Sequence, residues 1–315
     1  MNKYYSEQNN KTMSDNKLVS DILDLKRKRQ ALIMAHNYQI PQIQDIADFV
    51  GDSLELAKTS KAIDSPMVVL CGVKFMAETA KILSPKKTIL LPAPLAGCPL
   101  ADTITPQDVV GLKNKYPGAW VVSYVNTSAE IKALSDVCCT SSNAISVVKN
   151  VPSDKVIFIP DKNLGWWVKK NVPEKTVITW NGFCYVHEQF SLEELKKSRK
   201  TFPDAEIIVH PECKKEILDA ADYVASTAGI LKRAKESSAT KFIIGTEEGL
   251  IYKLQKENPE KEFYSLGCAK TCVNMKQTTL NELYLSLKNE VHEVCLDAEI
   301  IKKATLALER MVQYI

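Results

Sequence analysis

The sequence predicts an α/β protein of three similar three-layer αβα domains, with short parallel sheets around a pseudo-threefold axis. Three observations carry this prediction. Three segments of the 315-residue chain open on the same strand-like run, carry matching polar residues at matching spacing, and recur at intervals of 88 and 86 residues. Short apolar runs alternate with helix-like stretches of about ten residues, the pattern of parallel βαβ units. Apolar residues make up 45% and charged residues 25% of the chain, the balance of a globular protein.

The opening runs are ALIMAHNY (31–38), AWVVSYVN (119–126) and AEIIVHPE (205–212), and they present the ring-bearing polar residues His36, Tyr124 and His210. An aspartate stands 12 residues beyond each ring (Asp48, Asp136, Asp222), and five further on a hydroxyl (Ser53, Ser141, Thr227). A second apolar run follows in MVVLCG (67–72), KVIFIP (155–160) and KFIIGT (241–246), then a helical stretch such as FMAETAKIL (75–83) or GLIYKLQKE (249–257). A Pro-x-Lys signal introduces the last strand in SPKKTILLP (84–92), VPEKTVITW (172–180) and NPEKEFYSL (258–266). Each last strand leads to a cysteine: Cys98, Cys184, and Cys268 or Cys272. These signals divide the chain into domains at 18–105, 106–190 and 191–276. Residues 1–17 are polar and read as a disordered tail. Residues 277–315 read as two amphipathic helices, expected to pack on the first domain beside LVSDILDLKRKRQ (18–30).

Charge and motif content exclude several classes. Lys and Arg number 41 against 38 Asp and Glu, and a net +3 gives no electrostatic case for a nucleic-acid or anionic-membrane partner. No apolar run reaches the ~18 residues of a membrane span, and the amino terminus has no secretory pattern, so a cytoplasmic chain is expected. Nine cysteines are too few for a disulfide scaffold, and in a reducing compartment they read as free thiols. The chain has no G-x-G-x-x-G, Walker loop, C-x-x-C pair or G-x-S-x-G elbow. His187 begins no H-E-x-x-H, because Gln189, Phe190 and Ser191 follow Glu188.

Ligands of open α/β sheets bind at the carboxyl ends of the strands, where the three rings and the cysteines fall. Ser53, Ser141 and Thr227 are expected as helix N-caps, and three at one register suggest a shared cradle for carboxylate or phosphate. Cys98, Cys184 and Cys272, one per repeat, suit zinc or an iron–sulfur cluster. A four-iron cube with three ligands leaves one iron open as a Lewis acid. His187 and His292 read as structural or surface residues, the latter in the carboxy-terminal helix. Cys71 reads as core, Cys138 and Cys139 as packing, and Cys213 as a thiol near solvent in the cleft.

The segments AHNYQ (35–39), GDSLELA (51–57), GVKFMAETAKILSP (72–85), AGCPLAD (96–102), YVNTSAEIKALSDVCCTSSNA (124–144), IPDKNLG (159–165), NGFCYVHEQF (181–190), HPEC (210–213), AST (225–227) and CVNMK (272–276) resemble the quinolinate synthase family, the A protein of bacterial NAD biosynthesis. The resemblance covers residues from about 30 to 310. It implies three α/β domains around a [4Fe–4S] cluster held by Cys98, Cys184 and Cys272. Cys272 is chosen over Cys268 because Met275 and Lys276 complete the family's Cys-x-x-Met-Lys pattern. It also implies condensation of iminoaspartate with dihydroxyacetone phosphate, the imine reaching the enzyme from an aspartate oxidase or dehydrogenase. His36, Ser53, Ser141, His210 and Thr227 would bind the carboxylates and phosphate, with Asn126 orienting substrate. Tyr38, Tyr124 and Glu212 would move protons, and Glu212 is expected to have a raised pKa from desolvation. Two rivals are a diphthamide-type radical enzyme, against which the HNY and HPEC motifs speak, and a non-catalytic iron–sulfur sensor, for which no effector module is present.

Overall fold

Each repeat is built as four successive helix–strand pairs. The computed structural model describes residues 2–311, 313 and 314, with side chains from residue 15 onward. The first repeat contains α1 (Asn2–Arg29), β1 (Ala31–His36), α2 (Pro41–Ile46), β2 (Phe49–Gly51), α3 (Ser53–Ala62), β3 (Met67–Cys71), α4 (Lys74–Leu83) and β4 (Thr88–Leu90). The second contains α5 (Pro106–Lys115), β5 (Trp120–Tyr124), α6 (Ala129–Leu134), β6 (Val137–Cys139), α7 (Ala144–Asn150), β7 (Lys155–Ile159), α8 (Lys162–Asn171) and β8 (Thr176–Thr179). The third contains α9 (Leu192–Thr201), β9 (Glu206–Val209), α10 (Lys215–Ala220), β10 (Tyr223–Val224), α11 (Thr227–Glu236), β11 (Lys241–Gly245), α12 (Gly249–Glu257) and β12 (Glu262–Ser265). The carboxy-terminal segment adds α13 (Leu280–Asn289) and α14 (Ala298–Arg310). All three sheets are parallel and share one strand order: β2-β1-β3-β4, β6-β5-β7-β8 and β10-β9-β11-β12. The α/β class and the three-layer architecture are those the sequence predicts.

Local chemistry explains where the elements start. The first helix of the second and third repeats opens on a capping box, Thr105 with Asp108 and Ser191 with Glu194, and Asp52 with Glu55 does the same for α3. Strand alternation then sorts side chains to two faces. Val68, Leu70, Val122, Phe158, Ile208, Phe242 and Ile244 point into one cluster shared by all three sheets. Their neighbours Ile33, Val69, Val121, Ile157, Ile207 and Ile243 point into three separate outer cores. Each sheet is thus a partition between a common centre and its own outer helices.

The repeated aspartates hold this frame. Asp48 accepts the backbone N–H of Ile33 at 2.9 Å, Asp136 that of Val121 at 2.8 Å, and Asp222 that of Ile207 at 2.9 Å. Their own N–H groups bond back to the carbonyls of the same three residues. Each aspartate ties the first strand of its sheet to the second, so its fixed spacing is a structural signature.

Three parts of the chain differ from expectation. The stretch expected as a tail is continuous helix from Asn2 within α1; residues 2–17 contain no proline or glycine to interrupt one. Both carboxy-terminal helices were expected on the first domain. The first, α13, packs against α1, whereas α14 lies across α6 and β6 as well as α4, its buried Ala304, Ala307 and Leu308 allowing a close approach. His292 belongs to no helix: it stands between α13 and α14 at φ 68°, next to the bridge that joins Glu293 to Leu90. Cys71, Cys138 and Cys139 are buried packing residues. Cys213 is also buried, its thiol 3.4 Å from the Gly245 carbonyl, not near solvent.

Candidate active site

One cavity at the carboxyl ends of the strands is lined by every residue singled out above for catalysis, substrate or metal: Tyr38, Tyr124, Glu212, His36, Ser53, Asn126, Ser141, His210, Thr227, Cys98, Cys184 and Cys272. The repeat explains the convergence. The ring positions are His36, Tyr124 and His210; two residues past them stand Tyr38, Asn126 and Glu212. The Tyr38 N–H donates to His36 Nδ1 at 3.1 Å, and the Glu212 N–H to His210 Nδ1 at 3.4 Å. Both imidazoles therefore carry their proton on Nε2, where it serves as a donor. His210 Nε2 lies 3.2 Å from Ser141 Oγ.

The hydroxyl residues sit beside the caps they were expected to form. Asp52 caps α3 and Ser226 caps α11, which puts Ser53 and Thr227 at the first helical position. Ser141 lies two residues before Asn143, the residue that precedes α7. The correction has a simple cause for two of them: Asp52 and Ser226 take the caps of α3 and α11, while Asn143 stands at the start of α7 and accepts from the Thr140 N–H instead, and all three hydroxyls are left to the cavity. Thr227 Oγ1 also accepts from Asn37 Nδ2 at 3.1 Å, joining the third repeat to the first.

A chain of polar groups crosses the cavity wall. Tyr38 Oη is 2.6 Å from Thr246 Oγ1, which is 2.8 Å from His187 Nε2. His187 Nδ1 lies 2.7 Å from Glu212 Oε2, approaching off the ideal hydrogen-bond line. Tyr124 lines the cavity with the same carboxylate and helps to lower it. Glu212 Oε1 and Asn126 Oδ1 are buried without partners, two acceptors left for a bound molecule. His187 is therefore no surface residue: it is 1% exposed and stands between Thr246 and the Glu212 carboxylate.

Electrostatics follow from this packing. Burial raises the Glu212 carboxyl, but His187, then His210 and Tyr124, lower it further, to about 2. The expected upward shift does not occur, chiefly because the His187 imidazole faces the carboxylate at 2.7 Å. Burial is the main cause that lowers His36 and His210 to about 3, so both are neutral donors at neutral pH. Burial, with Glu212 nearby, raises Tyr38 and Tyr124 well above the ordinary phenol value and keeps them protonated.

The three cysteines enter on equivalent turns. A single 3₁₀ turn begins three residues after each: Ala101–Thr103, His187–Gln189 and Met275–Gln277. The backbone N–H groups of Ala101, His187 and Met275 pull the respective thiols downward, against the larger effect of burial. The backbone carbonyls of Cys98, Cys184 and Cys272 accept from Asp102, Glu188 and Lys276. Cys268 has no such turn, is exposed, and lies in a separate groove with Glu194 and Phe202. Burial raises all three cavity thiols, Cys98 to about 12, so they become thiolates only with compensating positive charge. Three thiols lining one cavity on equivalent turns are a donor set that fits a thiophilic metal centre. A second combination, Cys184 with His187 and Glu212, brings one ligand atom from each within 4.8 Å of the others.

His187, Thr246, Asp161 and Glu247 were missed by sequence reasoning. The spacing Cys184-x-x-His187 was the available signal, since it puts an imidazole on the turn that follows a candidate ligand.

Fold and site together define a three-domain α/β protein with a central polar cavity and one cavity-lining thiol from each domain. The chain belongs to the family described as quinolinate synthetase A protein, whose model matches residues 20–313. It is similar to quinolinate synthases from Thermodesulfovibrio yellowstonii (51% identity over 300 residues, 95% of this chain and 99% of the relative) and Alkaliphilus metalliredigens (51% over 301 residues, 96% and 99%). The quinolinate synthase of Thermococcus kodakarensis is 49% identical over 302 residues, 96% of this chain and 99% of the relative.

Proposed function

We propose that this chain condenses iminoaspartate with dihydroxyacetone phosphate to give quinolinate, phosphate and two waters, as a cytoplasmic step of NAD biosynthesis. The observation that carries the reading is the convergence of three thiols, two neutral imidazoles and an unpartnered carboxylate oxygen on one cavity, in a chain of this family. Among the described residues no helix is long and apolar enough to cross a membrane. An aspartate oxidase or dehydrogenase would supply the imine.

Cys98, Cys184 and Cys272 would hold a [4Fe–4S] cluster, which supplies an open iron as Lewis acid for a departing hydroxyl. The rest of the work falls to side chains. Neutral His36 and His210 donate Nε2–H groups, and with Ser53, Ser141 and Thr227 they bind the carboxylates and the phosphate. The first N–H groups of α3 and α11, which the Asp52 and Ser226 caps leave unbonded, add to that anion site. Asn126 orients substrate through its unpartnered Oδ1. Glu212, ionised at neutral pH, takes a proton from substrate carbon or hydroxyl during isomerisation and enolisation. Tyr124 and Tyr38 stay protonated and donate to leaving oxygen. Tyr38 can draw on the Thr246–His187–Glu212 chain, which ends on a carboxylate able to stabilise a protonated imidazole.

A mononuclear cation on Cys184, His187 and Glu212 is the second reading, favoured by the closeness of those three ligands. Incubating the anaerobic protein with enzymatically generated imine and dihydroxyacetone phosphate, and measuring quinolinate by chromatography, tests the proposal. Quinolinate formed only when both substrates and enzyme are present supports it. Its absence from protein of full iron content would overturn it.

A further inference from the structure

The carboxyl end of the third strand in each sheet carries a residue the proposed chemistry does not use. These residues are Val73, Asp161 and Glu247, spaced by the same 88 and 86 residues as the rest of the repeat. Asp161 and Glu247 have no solvent exposure. Asp161 accepts the Leu164 N–H at 2.7 Å through Oδ1 and the Cys184 N–H at 3.2 Å through Oδ2. Glu247 accepts the Gly249 N–H at 2.7 Å through Oε2 and the Cys272 N–H at 3.0 Å through Oε1. Each carboxylate thus joins a helix start to the backbone of a cavity cysteine.

The third repeat adds a cation. Lys276 Nζ lies 2.9 Å from Glu247 Oε1 and donates to the Tyr38 carbonyl at 2.6 Å, so the same cluster ties the cysteine loop to the first repeat. Space there is closed: a Cβ on Gly249 would come within 2.9 Å of Glu247 Oε2 and 2.8 Å of Lys276 Nζ. The first repeat has Val73 at this place, which offers no acceptor.

We propose that Asp161 and Glu247 are positioning residues, which clamp the Cys184 and Cys272 backbones so that those two sulfurs are presented to the cavity in a fixed geometry. The role rests on the reading of these cysteines as metal ligands, but the clamp itself is a property of the protein. An amide in place of either carboxylate tests it with almost no change of shape. Both carboxylate oxygens accept from backbone N–H groups. In Asp161→Asn or Glu247→Gln one of those N–H groups would face an NH₂, so one of the two bonds is lost.

The readout is alkylation of the full-length, metal-free, reduced chain by iodoacetamide, followed at each cysteine by mass spectrometry. Asp161→Asn is expected to raise the rate at Cys184 about tenfold, with Cys98 and Cys272 within about twofold of the parent. Glu247→Gln should raise Cys272 about tenfold and leave Cys98 and Cys184 alone. Each variant is the other's control, and if one fails to fold the other carries the test. Unchanged rates at the targeted sulfur, or equal rises at all three, would overturn the proposal. Iron content of the reconstituted parent is measured alongside. A parent that takes up no iron sinks the functional reading while leaving the clamp to be judged on selectivity; normal iron with no selectivity sinks the clamp alone.

Discussion

In the first repeat, Asp48 holds the Ile33 N–H at 2.9 Å, and the residues facing the cavity from β1 and its end are His36 and Tyr38. In the third, Asp222 holds the Ile207 N–H at the same 2.9 Å, and the equivalent residues are His210 and Glu212. The frames superpose bond for bond, down to the backbone N–H that donates to each imidazole. What differs is the group two residues on, a phenol in one and a carboxylate in the other, and His187 from the second repeat stands between them. The comparison teaches that repetition supplies position, while chemistry arises where the repeats depart from one another.

Removing a departure should cost activity and spare the fold. The largest effect is expected at Glu212→Gln, a loss of about 10²–10⁴ in kcat, with a lower thermal midpoint but cooperative unfolding retained. A midpoint that collapses with the rate would make Glu212 part of the frame. Thr246→Val interrupts the chain from Tyr38 to His187 without touching either end, and a fall in kcat of roughly ten- to a hundredfold is expected. Steady-state kinetics at wild-type rates would remove Thr246 from the proton path.

Removing the shared part should do the reverse. Asp136→Asn leaves the cavity intact but weakens the tie to Val121, and a loss of about 1–3 kcal/mol in denaturant unfolding is expected with kcat preserved. Equal losses for the Asn variants of Asp48 and Asp222 would sharpen the claim that the three aspartates are one device.

The smallest effect concerns pH. His36 and His210 titrate near 6.5 when unfolded and at about 3 when folded, so between those values the unfolded chain binds more protons. Stability is then full above pH ~6.5 and declines on acidification, by on the order of 1 kcal/mol per pH unit for each histidine. Glu212, held low in the fold, adds a loss in the same direction below its unfolded value. Denaturant midpoints between pH 7 and 5 check this, and His36→Gln should flatten the slope; a slope of opposite sign would mean the imidazoles are charged in the folded state.

The register made the sheets and the ring, hydroxyl and cysteine positions legible, because repeated geometry leaves a repeated spacing, while Tyr38, Asn126, Glu212 and the choice of Cys272 over Cys268 came from the family resemblance. What it concealed were the departures. His187 has Ala101 and Met275 at its equivalent positions, and the acidic pair Asp161 and Glu247 recurs in only two repeats, with Val73 in the first, so no threefold recurrence marked any of them. The direction of the Glu212 shift was lost with His187, since desolvation alone argues upward. The helix caps were misread by one or two residues because Asp52 and Ser226 adjoin Ser53 and Thr227, Asn143 stands two residues past Ser141, and sequence spacing does not separate such close neighbours.

The central claim is that three repeats each donate one thiol to a single metal centre, and anaerobic iron and sulfide analysis tests it most directly. The account predicts about four irons and four sulfides per chain, lost in Cys98→Ala, Cys184→Ala and Cys272→Ala alike and retained in Cys268→Ala. A single divalent ion that survives Cys98→Ala and Cys272→Ala but not His187→Ala would contradict it.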